Sequence, residues 1–277
     1  MAAEQVFVND PLSSCNAVWA RWWYQRRDLQ HDLRRAIWNR ELEIFYQPQV
    51  SLLTGMMRGV EALLRWRHPV LGLIAPALFL PLAEESGAIV EMGQWVINEV
   101  CRQAAEWLEP GIGSTISVNV SCKQLRSPEF FAGILTATSR HGVPVDALEL
   151  EVTEPLNHSE GCIKRLEALR ESGVRIALDH YGTRSSKLQS FSGLPLDVVK
   201  LDRNVIRHVD HDLHSYNSVG EIINRASELG LETVAGGIER KEQAERLAAL
   251  GCRLGQGNFY SNPCPIHRLE FWMEGRV

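Results

Sequence analysis

No apolar run in this 277-residue chain is long enough to cross a bilayer. The longest, such as Leu78 to Ala83, fall far short of the roughly 20 residues a helical span needs. The opening residues lack the basic start and continuous apolar segment of a secretory signal. Six cysteines, at 15, 101, 122, 162, 252 and 264, include no C-x-x-C pair, which removes a zinc knuckle or a dithiol redox motif. Isolated cysteines of this kind act as small core residues in a reduced compartment, so a cytoplasmic domain is expected. An excess of positive charge is also missing. A net charge of −5 argues against a nucleic-acid polymer partner and against membrane contact by the domain itself. Any anionic ligand must therefore be held by a few local cations. There is no G-x-G-x-x-G turn, no short repeat and no low-complexity segment.

What is present is an ordinary globular composition, 45% apolar and 23% charged, in a length that suits one large domain. Residues 1–32 differ from the rest. Trp19, Trp22 and Trp23 cluster there, and Leu29, Leu33 and Ile37 at spacings of four predict an amphipathic helix leading into a domain over 33–277. From Glu43 onward, short apolar runs alternate with helical patterns. Strands are expected at Ile44–Gln47, Arg58–Trp66, Ser114–Val120, Leu148–Val152, Val174–Asp179, Val198–Leu201, Glu232–Ala235 and Arg253–Gln256. Helices are expected at Val90–Glu109, Pro128–His141, Glu160–Ser172, Val219–Leu229 and Lys241–Leu250. Eight strands in this alternation predict an α/β fold, a mostly parallel sheet closed as a (β/α)8 barrel.

Barrels of this type place functional side chains at the C-terminal ends of their strands. Those ends carry Glu61 and Arg65, Asn119, Glu151 and Glu154, Asp179, and Lys200. Polar groups ending apolar strands are costly to bury unless paired or metal-bound. Three carboxylates and an amide oxygen make a hard, all-oxygen set suited to magnesium, manganese or calcium. A web of barrel-interior salt bridges through Arg65 and Lys200 accounts for the same residues equally well.

Seven collinear segments resemble the EAL family of cyclic-di-GMP phosphodiesterases. They are Tyr46-Gln47-Pro48-Gln49, Glu61-Ala62-Leu63-Leu64-Arg65-Trp66-Arg67-His68-Pro69, Pro81-Leu82-Ala83-Glu84-Glu85, Ser117-Val118-Asn119-Val120-Ser121, Glu151-Val152-Thr153-Glu154, Val199-Lys200-Leu201-Asp202 and Gln256-Gly257. The resemblance implies a TIM-like barrel binding cyclic di-GMP across its strand ends and, in active members, hydrolysis to pGpG with two divalent cations. It assigns Glu61, Asn119, Glu151 and Asp179 to one metal and Lys200 to the attacking water. Glu154 would steady the loop after Asp179. Gln47, Arg65, Glu239 and Gln256 would contact the nucleotide.

The chain departs from the family pattern at one half of the two-metal site. The family's D-D-F-G-T-G segment reads Asp179-His180-Tyr181-Gly182-Thr183-Arg184, and its A-E-G-V-E segment reads Ala235-Gly236-Gly237-Ile238-Glu239. His180 and Gly236 thus replace two acidic positions. Imidazole is a poor partner for magnesium, and glycine offers no side chain. A cation pair roughly 3.5–4 Å apart needs those anions. The expectation is a receptor or regulatory domain that binds cyclic di-GMP without cleaving it, with magnesium or manganese confined to one residual site. Alternatives are a nucleotide-independent protein-interaction scaffold and a slow metal-dependent phosphodiesterase. A protein partner, an attached sensor or GGDEF domain and a homodimer are further expectations from the resemblance.

Overall fold

The computed structural model describes residues 28–107, 115–153, 160–182 and 193–269. Trp19, Trp22, Trp23, Glu154 and Arg184 lie outside the described residues. Two compact units emerge. One comprises the described residues up to Ile44 with Leu64–Val96, the other Phe45–Leu63 with the described residues from Ile97 onward.

In the first unit a helix over 28–36 (α1) precedes the start of β1 (Leu42–Ser51). The later part of β2 (Met57–His68) pairs antiparallel with the short β3 (Gly72–Ile74), and α2 (Pro76–Ser86) follows. The predicted apolar stripe of α1 packs as its spacing implies. Leu33 is fully buried, with Leu29 and Ile37 at the edge of the same cluster. Trp66 and Phe79 meet edge to face at 5.8 Å in its centre, and the Trp66 indole donates to Glu41 at 2.9 Å. α2 is absent from the sequence expectation because Leu78–Ala83 is a continuous apolar run without helical period, interrupted by Pro81. Pro76 at the first turn suits a helix start, and Gly87 closes the far end at φ 82°.

The second unit is the barrel. β1, β2, β4 (Thr115–Val120), β5 (Leu148–Thr153), β6 (Arg175–Tyr181), β7 (Val198–Leu201), β8 (Glu232–Ala235) and β9 (Leu254–Gly255) close through β1–β2 pairing. Each expected strand is found. From β2 round to β9 the barrel strands run parallel, but β1 runs antiparallel to β9. Strand direction is not encoded in periodicity, so the sequence could not reveal that reversal. Helices α3 (Ile89–Trp107, its first residues in the first unit), α4 (Cys122–Leu125), α5 (Pro128–His141), α6 (Glu160–Glu171), α7 (Arg203–Ile206), α8 (Leu213–Glu228) and α9 (Lys241–Ala249) connect them. α8 starts six residues before the expected Val219, because Asp212 caps it by accepting from Ser215 N at 2.8 Å.

Parallel register aligns side chains from neighbouring strands. Glu61 aligns with Ser117, Ser117 with Glu149 and Glu149 with Arg175. One layer on, Asn119 aligns with Glu151. Ala177, Val198 and Val234, with Leu254, form the apolar part of this interior. Among the described residues no helix is long and apolar enough to cross a membrane.

Gly257 fixes the backbone beside Gln256. A Cβ there would lie 2.3 Å from Ile238 N and 2.2 Å from Ile238 O, far inside contact distance. Gly257→Ala is expected to lower unfolding free energy by about 3 kcal/mol or more; a denaturation midpoint equal to that of the unsubstituted protein would contradict this reading of the turn.

Candidate functional site at the strand ends

β7 delivers Lys200 into a wholly buried position between β2 and β5. Its ammonium donates to Glu61 Oε2 at 2.9 Å and to Glu151 Oε1 at 2.5 Å. Asn119, from β4, donates to the other Glu61 oxygen at 2.7 Å. Gln256, just past β9, donates to Glu61 Oε2 at 2.7 Å and to Gln47 Oε1 at 2.9 Å. Gln47 in turn donates to Ser261 O at 2.9 Å. Six of the expected site residues are therefore one connected network.

The charges respond to this packing. Burial works to raise the Glu61 carboxyl, but the Lys200 charge and the hydrogen bonds from Lys200, Gln256 and Asn119 outweigh it and leave Glu61 below its usual range. Glu151 goes the other way. Burial, reinforced by the charge of Glu61, holds its carboxyl well above the usual range despite Lys200. Burial opposes the Lys200 charge, yet Glu151, Glu61 and Asp179 prevail and keep the ammonium protonated well beyond its ordinary range.

The network extends further than the sequence motifs implied. Gln49 donates to Gln256 and to Ser117, each at 3.3 Å, and Ser117 donates to Glu149 at 2.8 Å. Arg175 then pairs with Glu149 at 3.3 Å and Glu232 at 2.6 Å. A signal for this was visible: Gln47/Gln49, Ser117/Asn119 and Glu149/Glu151 are polar pairs at the two-residue period of one strand face.

Asp179 stands apart from the lysine network. It accepts from His180 N at 2.8 Å, and its other oxygen faces His180 Nε2 at 3.3 Å. His180 Nδ1 faces Asp202 at 2.8 Å. Asp202, which the sequence reading quoted without a role, caps α7 and holds Asn204 N at 2.8 Å. His180 thus faces carboxylates on both sides, and its side chain is 61% exposed. Its φ of 56° lies in the left-handed region, beside a register shift between Leu178 and Tyr181. Histidine, asparagine and aspartate are the non-glycine residues enriched there.

Just past β8, on the same strand-end rim, Glu239 is exposed and pairs with Arg203 at 2.6 Å. A Cβ at Gly236 would lie 3.2 Å from Leu201 O, a tight approach to backbone. Arg65 follows Glu61 by four residues on β2, in the first unit, and donates to Leu64 O at 2.9 Å.

One feature would suit a hard cation. Glu151 Oε2 is buried without a hydrogen-bond partner, an orphan oxygen that a cation would satisfy. By the family resemblance, Glu61, Asn119 and Asp179 would be the other oxygen donors to magnesium or manganese. Such an ion would polarise a phosphoryl oxygen and acidify a bound water. As folded, no three acidic, histidine or cysteine side chains among the described residues close to chelating distance. Lys200 instead neutralises Glu61 and Glu151, the salt-bridge alternative left open by the sequence. For a second cation, both His180 nitrogens already face carboxylates and Gly236 contributes nothing.

An EAL domain model matches residues 30–263 of the chain. The bifunctional diguanylate cyclase/cyclic di-GMP phosphodiesterase MucR of Pseudomonas aeruginosa is 40% identical over 88% of this chain and 36% of its own length. The oxygen sensor protein DosP of Escherichia coli is 37% identical over 87% of this chain and 30% of its own. The chain thus spans about a third of these curated relatives. The solved MucR phosphodiesterase in complex with c-di-GMP superposes with a TM-score of 0.81 at 40% identity, covering 87% of this chain and 99% of that one.

Because Lys200 compensates two buried carboxylates, Lys200→Met is expected to cost about 3–5 kcal/mol of stability. Adding Glu151→Gln should recover part of that loss. Urea denaturation of the single and double variants checks both, and a fully stable single variant would show that Lys200 is dispensable to the fold.

Proposed function

Because this chain belongs to the EAL domain family, we propose that it is a cyclic-di-GMP receptor domain of bacterial second-messenger signalling that holds the nucleotide without efficient cleavage. One observation carries the second half of this reading. His180 is bound on both sides, to Asp179 and to Asp202, where active relatives are expected to present a second metal-binding aspartate. Gly236, whose N–H donates to Leu201 O next to Asp202, stands where the family pattern has the other acidic group. Two-metal phosphodiester cleavage stabilises both the attacking and the leaving oxygen, and half of that arrangement is lost.

Nucleotide contact is supported by what remains. Gln47 and Gln256 are held by hydrogen bonds to Ser261, Glu61 and Gln49, so their amides are oriented before any ligand arrives. Arg65 supplies a planar cationic fork suited to a phosphodiester. Glu239 would give up its exposed partner Arg203 to meet a guanine edge, which costs little for a surface pair. Glu154 keeps its proposed role in the loop after Asp179. In the same proposal, residues 1–32 lead into the domain, an attached sensor or GGDEF region supplies the signal, and the domain pairs with a second copy.

Calorimetric titration of cyclic di-GMP into the protein, with EDTA, magnesium or manganese, should give saturable binding, and chromatography should recover intact nucleotide. Arg65→Ala is expected to weaken binding by at least about tenfold. Absence of binding in all three conditions would remove the receptor reading and favour a protein-interaction scaffold.

The double substitution His180→Asp/Gly236→Glu is expected to raise pGpG formation by at least about 10²-fold, because it returns an acid/base group and a metal-binding anion. Aspartate tolerates the φ of 56° at position 180, and Gly236 lies outside the positive-φ region, with Leu201 O having to yield a few tenths of an ångström to a new Cβ. If the unsubstituted protein already forms pGpG at a rate the double substitution does not improve, the proposed inactivity is wrong.

A further inference from the structure

The turn between α7 and α8 carries three histidines and two aspartates in seven residues, His208 to His214, none of which the cyclic-di-GMP reading uses. His208 Nδ1 and His211 Nε2 face each other at 3.2 Å, with the rings 5.1 Å apart and crossing at 81°. Asp210 faces the other nitrogen of His211, Nδ1, at 2.9 Å. Arg240 holds Asp210 as an ion pair through two hydrogen bonds of 2.9 and 3.0 Å. An ionised carboxylate only accepts, so the ring proton of His211 sits on Nδ1 and its Nε2 lone pair points at His208.

That arrangement is the outer support commonly given to a metal-binding imidazole, in which a carboxylate fixes the tautomer and orientation of the ring. The separation also fits. Zinc–imidazole bonds of about 2.0–2.1 Å at a tetrahedral angle place two nitrogens about 3.3 Å apart. The turn is held in advance of any ligand: Val209 is buried, and Arg240 and Gln243 donate to Arg207 O at 3.0 and 3.1 Å. A cavity of about 360 Å³ is lined by His208 along with Asp212 and His214.

We propose that His208 Nδ1 and His211 Nε2 form a binding site for a borderline divalent transition metal of the zinc type, distinct from the carboxylate mouth of the barrel. Binding moves the His208 proton from Nδ1 to Nε2 of the same ring, so that two lone pairs converge on the ion and no net proton is released. No three ligating side chains gather within chelating distance among the described residues, so water completes the coordination. Imidazole selects zinc, nickel or copper over magnesium, which separates this site chemically from the hard oxygen set at the strand ends.

The test is equilibrium dialysis of the whole chain against zinc chloride in excess magnesium, with bound zinc measured by atomic absorption. One retained equivalent is expected, lost in His208→Ala and in His211→Ala. Asp210→Asn should weaken retention by about 10–100-fold with the circular dichroism unchanged. Absence of retained zinc, or retention unchanged in both histidine variants, overturns the site. Should an alanine variant fail to fold, imidazole nitrogen chemical shifts of the unsubstituted protein decide the matter. Zinc must move those of His208 Nδ1 and His211 Nε2, and unmoved resonances overturn the proposal.

Discussion

A single buried ammonium sets the terms for this barrel. Lys200 lies between Glu61 and Glu151, all three removed from solvent. Two carboxylates at such depth would each cost several kcal/mol uncompensated. The lysine makes that pairing tolerable, and it does so from β7 while its partners come from β2 and β5. Strands far apart in sequence are thereby tied to one register. A one-residue slip in any of them would turn its charged member away from the interior and strand the others.

The same constraint propagates inward. Glu61 also takes hydrogen bonds from Asn119 and Gln256, and Gln256 passes the connection through Gln49 and Ser117 to Glu149 and Arg175. One side of the barrel interior is a satisfied polar chain. The other is the small apolar cluster of Ala177, Val198 and Val234. A partly satisfied chain of this kind would be worse than an apolar core, which is why nearly every buried polar side-chain atom in it has a partner. The exception among the described residues is Glu151 Oε2, and it lies on the residue whose carboxyl is pushed furthest from ionisation.

Much of this was legible before any coordinates. The eight barrel strands follow from short apolar runs, and the strand-end acids and amides follow from asking what ends each run. Less accessible was anything that depends on direction or on a cap. The antiparallel β1 gives the same alternating pattern as a parallel strand. α2 is hidden by Pro81 within an apolar run, and the start of α8 is set by Asp212 rather than by hydrophobic period. At the site, Glu61, Asn119, Glu151, Lys200, Gln47 and Gln256 meet as their strand positions imply. The partners of His180 could not be read in advance, because Asp179 and Asp202 come together only through β6–β7 pairing and the bulge beside it.

This distribution bears on where the departures from the family pattern fall. Lys200, Glu61 and Glu151 serve the fold as well as any chemistry, so removing one member exposes a buried charge and destabilises the barrel. Their presence is demanded by packing alone and is weak grounds for inferring a metal. His180 and Gly236 are under no such demand. One is exposed at a strand end, and the other has no side chain and donates its N–H to Leu201 O. Removing an acid around Lys200 would leave a buried charge unpaired, a penalty that an exposed position such as 180 does not carry. The departures from the family pattern therefore fall outside the Lys200 hydrogen bonds: the acids built into the core are present, and His180 and Gly236 are not among their partners.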